Sequence, residues 1–304
     1  MKLNFDVVII GSGVSGMTAA IYLKRANINC CIFEKYMPGG QIMKTSTIEN
    51  YPGFTSITGP ELAMNMSEQL KKLEVPFKYE EVLEIIDKTY YKIIKTNSSE
   101  ITCKGVILSI GRIPRKLQVP GEDYLEGKGI SWCAICDGPL YKNLEVMVVG
   151  GGNSSLEEAL YLSEICKKVT IVHRRDTFTA QEYLINKVKT KKNIKVLFNK
   201  EVKEFVAKDE KLSEVVIFDK IKNKTKKIKV NGCFIYIGYI PNTSNFCNLN
   251  ILDEEGYIKV DSKLKTDIPF IYAAGDVVKK GLYQIVTATS DGAVAASSFI
   301  EDFK

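Results

Sequence analysis

The sequence predicts an α/β fold of two three-layer domains in which parallel strands alternate with helices. An apolar strand, a glycine-rich turn and the start of a helix occur at residues 7–16 and again at residues 146–155. In each copy a second apolar strand, a group of short strands and a closing Gly-x-x-Pro element follow. This order is typical of Rossmann-like dinucleotide-binding domains, and its repetition indicates an internal duplication.

The first glycine turn has Gly11, Gly13 and Gly16 between a strand and a helix that we expect to end near residue 26. Such a turn brings backbone N–H groups and the positive end of a helix up to a pyrophosphate. The next strand ends at Glu34, 23 residues after Gly11. A carboxylate there accepts both hydroxyls of an adenosine ribose and repels a 2′-phosphate. The first site therefore suits FAD or NAD.

The second turn repeats the layout with opposite charge. Gly150 and Gly152 open it, and the strand at residues 169–172 ends in His173, Arg174 and Arg175. His173 again lies 23 residues after the first glycine. Arginine forms forked, charge-assisted hydrogen bonds with a phosphate dianion. The second site therefore suits NADPH, and two turns imply two nucleotide cofactors.

The order of elements predicts one domain inserted into another. Residues 243–304 are too few for a third domain, and they contain a strand near residues 270–274 and a helix over about residues 284–299. We expect residues 1–112 and 243–304 to form one discontinuous domain and residues 113–242 to form the inserted one. The two Gly-x-x-Pro joints, at residues 111–114 and 238–241, are expected to act as a hinge.

Composition narrows the class of protein. The 304 residues are 45% hydrophobic and 26% charged, which is ordinary for a globular protein. No apolar run is long enough for a bilayer span, and no signal-like stretch precedes the first strand, so we expect a cytoplasmic protein without a membrane partner. The net charge of +6 comes from dispersed lysines, which indicates a solvated surface and not a nucleic-acid site.

One pair of the eight cysteines has the spacing of a redox motif. Cys133 and Cys136 are separated by two residues, which lets their thiols close a small disulfide ring. A zinc site would need two more ligands at similar spacing, but there is no second such pair and His173 is the only histidine. We therefore predict a redox centre and no metal. Cys30 and Cys31 lie in an apolar strand and are expected to be packing residues.

Several motifs, taken in order, resemble the low-molecular-weight thioredoxin reductases of bacteria over essentially the whole chain. The most discriminating is the Cys-x-x-Cys pair between two glycine turns. The others are the two turns themselves and the segments at residues 38–41, 49–53, 157–159, 173–176 and 273–276.

The resemblance implies a thioredoxin-disulfide reductase that carries electrons from NADPH through FAD to thioredoxin, and a homodimer. It implies that Cys136 faces the flavin, that Cys133 attacks thioredoxin, and that Asp137 donates a proton. The implied FAD-binding residues are Gly11, Gly13, Gly16, Glu34, Lys35, Gly40, Gln41, Asn50, Val82, Gly111, Gly275, Asp276, Gln284 and Ile285. The implied NADPH-binding residues are Gly150, Gly152, Asn153, Ser154, Ser155, His173, Arg174 and Arg175.

The chain departs from this family's pattern at three places. Thr179 stands where a further arginine is usual, Tyr283 replaces the arginine of an Arg-Gln pair, and Ser155 replaces a common alanine. Loss of a charged contact can cost about 1.5 to 3 kcal/mol, so the preference for NADPH is expected to weaken. Three alternatives stay open: ferredoxin as the donor, a peroxiredoxin as the acceptor, and a flavin-bound sensor that does not turn over.

Overall fold

The computed structural model describes residues 3–45 and 47–304. They form two compact units: residues up to Ile113 together with Ile240–Lys304, and Pro114–Tyr239. These boundaries lie within three residues of those expected from the sequence. The chain crosses between the units in two short strands that pair with each other, β7 (Arg112–Pro114) and β16 (Tyr239–Pro241).

The first unit is built on a seven-stranded sheet with the order β3-β2-β1-β6-β5-β4, in which β17 pairs with β6. Strand β17 is contributed by the returning C-terminal segment and lies parallel to β6. The strands are β1 (Phe5–Ile10), β2 (Cys30–Phe33), β3 (Phe77–Lys78), β4 (Val82–Asp87), β5 (Lys92–Thr96), β6 (Glu100–Leu108) and β17 (Ile271–Ala273), and the α-helices are α1 (Val14–Arg25), α2 (Gly59–Lys72) and α6 (Ile285–Phe303).

Strand β1 shows why the first unit has three layers. Val7 and Ile9 belong to the apolar core beneath α1 and α6, whereas Val8 and Ile10 belong to the core on the opposite face of the sheet. Successive side chains of a strand point to opposite faces, so a strand that is apolar at every position must be covered on both sides. The sequence-based prediction of the fold class is confirmed.

One predicted break in the first unit does not exist. The sequence suggests separate strands before and after Lys104, but β6 runs without interruption from Glu100 to Leu108. Gly105 stays in the strand because the ring of Phe299 packs over it; a Cβ there would come within 2.6 Å of that ring. The glycine serves helix packing and does not end the strand.

The second unit repeats this design on a five-stranded parallel sheet with the order β11-β10-β9-β15-β8, beside a separate three-stranded antiparallel sheet. Its strands are β8 (Ile130–Ser131), β9 (Glu145–Gly150), β10 (Lys168–Val172), β11 (Ile194–Leu197), β12 (Lys200–Lys208), β13 (Lys211–Asp219), β14 (Lys224–Lys229) and β15 (Gly232–Tyr236), and its α-helices are α3 (Ala134–Asp137), α4 (Asn153–Ile165) and α5 (Glu182–Thr190). Since β9 and β10 are parallel, their carboxyl ends place the second glycine turn and His173 side by side.

None of the helices in the described part of the chain combines the length and the apolar character that a bilayer span requires.

Candidate functional site

The glycines of the first turn have different tasks. Gly11 has a φ of +96°, and a Cβ there would lie 2.6 Å from the carbonyl oxygen of Ser109. A Cβ on Gly16 would lie 2.0 Å from the carbonyl oxygen of Gly11, so this glycine lets α1 approach the turn. Gly13, by contrast, has no atom within 4 Å of a Cβ position. The turn therefore leaves open space at Gly13, where a phosphate group would come closest.

The helices that follow the two turns begin without side-chain caps. Neither α1 nor α4 has a side-chain N-cap hydrogen bond or an acidic residue in its first turn. Helix α2, in contrast, is capped by Thr58 and carries Glu61 in its first turn. Free N–H groups and the helix dipole together attract an anion. Both turns are thus suited to a pyrophosphate.

Glu34 is fixed at the end of β2. Its carboxylate accepts hydrogen bonds from the backbone N–H of Ser12 at 2.8 Å, the hydroxyl of Ser12 at 2.7 Å and the N–H of Tyr36 at 2.9 Å. An ionised carboxylate has about four acceptor positions, so capacity for a ribose hydroxyl remains. Lys35, in contrast, is directed to Glu81 in an ion pair of 2.8 Å.

The loop at residues 38–41 lies against the first turn. The N–H of Gly39 donates to the carbonyl of Ser12 at 2.9 Å, and Gly40 has a φ of +56° with its Cβ position 3.3 Å from the Cα of Gly13. Next in the chain, the Gln41 amide donates to the carbonyl of Arg112 at 2.9 Å. The structure therefore brings this predicted segment to the turn.

The remaining predicted residues of the first unit fall into two groups. Asn50 donates from its amide to the Gln284 side chain at 3.1 Å, which joins the loop to the start of α6. Gly275 has a φ of +80° and packs on Ser15 of α1. Val82, at the start of β4, has its side chain in the same apolar core as Ile10, which directly precedes the glycine turn, and its carbonyl accepts from Asn245 at 3.1 Å.

Sequence reasoning missed Arg112, which joins several of these residues. Its guanidinium forms an ion pair of 3.0 Å with Asp276, and its Cζ lies 3.7 Å from the centre of the Tyr283 ring. The only indication in the sequence is that Arg112 follows a glycine. Gly111 has a φ of +61° in the structure. Nothing in the local sequence pairs it with residues more than 160 positions away.

The second turn is built in the same way. Gly150 has a φ of +145°, and a Cβ there would lie 2.2 Å from the carbonyl oxygen of Tyr236. Gly152 has only the Thr179 hydroxyl nearby, at 3.8 Å from its Cβ position. Beside the turn lies a cavity of about 180 Å³. It is lined by Pro114, Trp132, Gly152, Asn153, Ser154, Ser155, Ile235, Tyr236, Gly238 and Tyr239.

The three basic residues after β10 do not share one environment. His173 is only 7% exposed and packs beneath Gly151, where a Cβ would come within 2.3 Å of its ring. Burial lowers the pKa of His173, which favours the neutral imidazole. Arg174 and Arg175 are exposed, and neither pairs with a carboxylate in the described part of the chain. Their charge is available to a ligand.

Thr179 forms hydrogen bonds with the glycine turn and contributes no charge there. Its N–H and its hydroxyl both donate to the carbonyl of Gly151, at 2.8 and 3.2 Å. The side chain of Asn153 accepts from the N–H of Gln181 at 2.8 Å. Together these hydrogen bonds fasten the loop after Arg175 to the glycine turn.

Cys133 and Cys136 form a disulfide at the short helix α3, with their Cα atoms 5.3 Å apart. Cys133 is buried and Cys136 is exposed. The backbone N–H of Cys136 donates to the sulfur of Cys133 at 3.2 Å, an interaction that would stabilise a thiolate there. Asp137 follows directly and is half-buried. The predicted redox pair is thus formed and lies in the second unit.

The other cysteines are not redox pairs. Cys30 and Cys31 are free and fully buried, and burial raises the pKa of each thiol to about 12. Thiols held protonated in this way are unreactive, so the prediction of packing residues is confirmed. Cys247 is free and exposed. Within residues 3–45 and 47–304, no group of three or more metal-ligating side chains lies close enough to hold a metal ion.

Two half-buried polar side chains near α3, Tyr236 and Glu158, were also missed. The hydroxyl of Tyr236 accepts a hydrogen bond from the backbone N–H of Ala134 at 2.9 Å. Glu158, on α4, exerts its charge on Tyr236, and its Oε2 atom is buried without a hydrogen-bond partner among the described residues. Burial, with a smaller contribution from Glu157, raises the pKa of Glu158 to about 7.

Comparison with known proteins places this geometry in a class. The chain belongs to the pyridine nucleotide-disulphide oxidoreductase family, which matches residues 5–292. Several of its relatives within that class are named thioredoxin reductases. The thioredoxin reductase of Bacillus subtilis is 45% identical over 97% of this chain and 93% of its own length.

Solved structures agree with the sequence relatives. The thioredoxin reductase of Lactococcus lactis, in its FR conformation, superposes with a TM-score of 0.93 at 41% identity and covers 98% of this chain and 99% of its own. A ferredoxin-flavin thioredoxin reductase from Clostridium acetobutylicum has a TM-score of 0.54 at 28% identity, with coverage of 98% and 96%.

Proposed function

We propose that the protein is a thioredoxin-disulfide reductase that uses NADPH and FAD. The observation that carries the proposal is the Cys133–Cys136 disulfide, formed in the same unit as the second glycine turn and the exposed Arg174 and Arg175. The relatives named thioredoxin reductase, which match nearly the whole chain, support it. The family's cofactors are FAD and NADPH.

The first unit suits FAD. The open space at Gly13, the uncapped start of α1 and the fixed carboxylate of Glu34 match a pyrophosphate followed by an adenosine ribose. Asp276 and the start of α6 at Gln284 belong to the same unit and are assigned to the flavin end. We assign residues up to 112 and residues 243–304 to FAD binding, with the set of residues that the sequence predicted.

The second unit suits NADPH. Its turn offers open space at Gly152 and an uncapped α4, and the adjacent cavity admits the nucleotide's diphosphate. Arg174 and Arg175 are assigned to the 2′-phosphate. His173 acts as a neutral ring that supports the turn from below, through its contact with Gly151. Residues 113–242 are thus the NADPH-binding domain.

The chain's own residues then transfer electrons to the protein substrate. Bound FAD would supply to the disulfide the two electrons of a hydride taken from NADPH. With two protons, the disulfide opens to the thiols of Cys133 and Cys136. Cys133 gives up its proton and attacks the disulfide of thioredoxin as a thiolate, and the first leaving thiolate takes a proton from Asp137. Cys136 then gives up its proton and attacks the Cys133 sulfur, which restores the internal disulfide and releases thioredoxin. The two protons given up by the cysteines restore Asp137 and protonate the second thioredoxin thiolate.

The cellular setting is part of the same proposal. Five buried cysteines remain as free thiols, which fits a reducing compartment, and we assign the protein to the cytoplasm as a homodimer. The predicted hinge remains a prediction. Gly111 and Gly238 have positive φ values of 61° and 105°, and no atom lies within 4 Å of either Cβ position.

A coupled assay tests the function. Purified protein with NADPH and oxidised thioredoxin should consume NADPH, whereas Cys133→Ser and Cys136→Ser should lose at least about a thousandfold in turnover, the loss typical of a removed nucleophile. Cys247→Ser is the matched control because Cys247 is exposed and forms no disulfide, and it should keep full activity.

Exchange of donor and acceptor separates the alternatives. NADPH should reduce the flavin without ferredoxin, and thioredoxin should be a better acceptor than a peroxiredoxin. Reduction that requires ferredoxin, a stronger response to the peroxiredoxin, or the absence of sustained turnover with either would replace the proposal.

A further inference from the structure

Arg112 lies in β7, the short strand that follows β6 in the chain and pairs with β16. Its side chain is 17% exposed, and its partner Asp276 is 27% exposed, so their 3.0 Å ion pair is largely removed from water. The flat guanidinium also stacks on the Tyr283 ring at 3.7 Å. The planar guanidinium can bind a carboxylate at its edge and an aromatic ring on its face at the same time, so little additional side-chain entropy is lost for the second contact.

The partners of Arg112 come from three segments that are distant in the sequence. Its carbonyl accepts from Gln41, 71 positions earlier, and its guanidinium reaches Asp276, 164 positions later. Tyr283 directly precedes Gln284, which starts α6 and accepts from Asn50. One residue therefore connects the loop at residues 38–41, the turn at Asp276 and the entrance to the last helix.

The stacking gives a physical reason for the tyrosine at position 283, where the family that the sequence resembles usually has an arginine. The positive charge at this place is supplied by Arg112, which approaches from β7 and lies on the face of the Tyr283 ring. A tyrosine provides a flat, electron-rich surface for that charge, which an aliphatic residue could not.

We propose that Arg112 is a positioning residue of the flavin site, one that holds Asp276 and Tyr283 and neutralises the Asp276 carboxylate. The proposal rests on the assignment of FAD to the first unit. Removal of the guanidinium leaves the carboxylate partly buried and unpaired and frees the entrance to α6. Bound FAD should then be held less firmly, and an uncompensated negative charge nearby should disfavour the reduced flavin.

The test uses purified holoenzyme and two measurements other than turnover. In Arg112→Ala, the dissociation constant of FAD, measured by the release of flavin fluorescence on dilution, should rise about tenfold, as for a lost charged hydrogen bond. The midpoint potential of the bound flavin should become more negative. Arg115→Ala is the matched control, since Arg115 is exposed and belongs to the other unit, and it should change neither quantity.

Two further variants identify the cause. Arg112→Lys keeps the charge but loses the flat stack, so the potential should stay near that of the unmodified protein while FAD release increases. Arg112→Ala combined with Asp276→Asn removes both charges and should return the potential toward the original value. If Arg112→Ala does not fold, Arg112→Lys and Tyr283→Leu still decide, because both should increase FAD release.

Unchanged FAD release and an unchanged potential in the Arg112 variants would overturn the inference. An unmodified protein that binds no FAD would instead overturn the proposed function, so the two failures are distinguishable.

Discussion

The two glycine turns share a backbone and differ in the residues that follow the second strand. In the first unit Glu34 is fixed by three hydrogen bonds, and in the second Arg174 and Arg175 are exposed without a carboxylate partner in the described residues. In the proposed function, the common geometry would hold a pyrophosphate in each unit, whereas charge would distinguish the cofactors. The two units thus share the part of the site that depends on the main chain and differ in the part that depends on side chains.

The turns also differ where the helix comes nearest. Gly16 and Ser155 occupy equivalent positions, but only Gly16 lies too close to the preceding glycine turn for a side chain. Ser155 is buried, and its hydroxyl donates to the carbonyl of Gly152 at 2.9 Å. Helix α4 therefore leaves room for a Cβ that α1 does not.

The largest expected effect tests the difference in packing at positions 16 and 155. Gly16→Ala places a methyl group 2.0 Å from the Gly11 carbonyl oxygen, and we expect it to reduce the free energy of unfolding by about 3 kcal/mol. Ser155→Ala, the matched change, should cost only about 1 kcal/mol for a lost hydrogen bond. Urea unfolding of both variants at saturating FAD measures the difference; equal losses would mean that the two turns are packed alike.

The next effect concerns cofactor choice. Removal of both arginines, Arg174→Ala with Arg175→Ala, should raise the KM for NADPH about a hundredfold, because two charge-assisted hydrogen bonds to the 2′-phosphate are lost. The KM for NADH should stay the same, since NADH lacks that phosphate. Steady-state kinetics with both nucleotides provide the measurement, and a parallel loss with NADH would assign the arginines to folding.

A third effect arises from a carboxyl group that the first unit lacks. Glu158 on α4 corresponds to the buried Ala19 on α1, and burial raises the pKa of Glu158 from 4.5 to about 7. The folded state therefore binds this proton more tightly than the unfolded state, and the free energy of unfolding should fall as pH rises from 4.5 to 7.

Glu158→Gln should remove that dependence. Each pKa unit corresponds to about 1.4 kcal/mol, and the partial exposure of the side chain reduces the expected gain above neutral pH to about 2 kcal/mol. Below the ordinary pKa of a glutamate, the variant and the unmodified protein should be equally stable. Urea unfolding at acidic and alkaline pH measures this, and a gain that does not vary with pH would exclude titration of Glu158 as its origin.

The smallest expected effect tests whether position 179 can contribute to the proposed phosphate site. Thr179→Arg should lower the KM for NADPH by about threefold relative to NADH, because an added charge worth about 1 kcal/mol is offset in part by loss of the hydroxyl's hydrogen bond to Gly151. Thr179→Val, which loses only that hydrogen bond, is the control. If Thr179→Arg leaves the ratio unchanged, position 179 does not reach the phosphate.

The sequence could predict features that depend on neighbours in the chain. The turns at Gly11 and Gly150, the strand-end charges 23 residues later and the Cys133–Cys136 pair are all local patterns. The family and the fold class followed from their order, and both are confirmed.

Features that depend on tertiary contacts could not be predicted. The pairing of Arg112 with Asp276 joins residues 164 positions apart, and the uninterrupted β6 depends on Phe299 packing over Gly105. The burial of Glu158 depends on which face of α4 meets Tyr236, and two adjacent glutamates give no sign of it.

The most direct test of the whole account is an anaerobic titration of the yellow holoenzyme with NADPH, followed by flavin absorbance. One equivalent of NADPH supplies the two electrons of a disulfide, and a second supplies those of the flavin. We predict that the unmodified protein takes up about two equivalents and that Cys136→Ser takes up about one. Equal uptake by the two proteins, or no bleaching by NADPH, would contradict the proposed route from nucleotide through flavin to the disulfide.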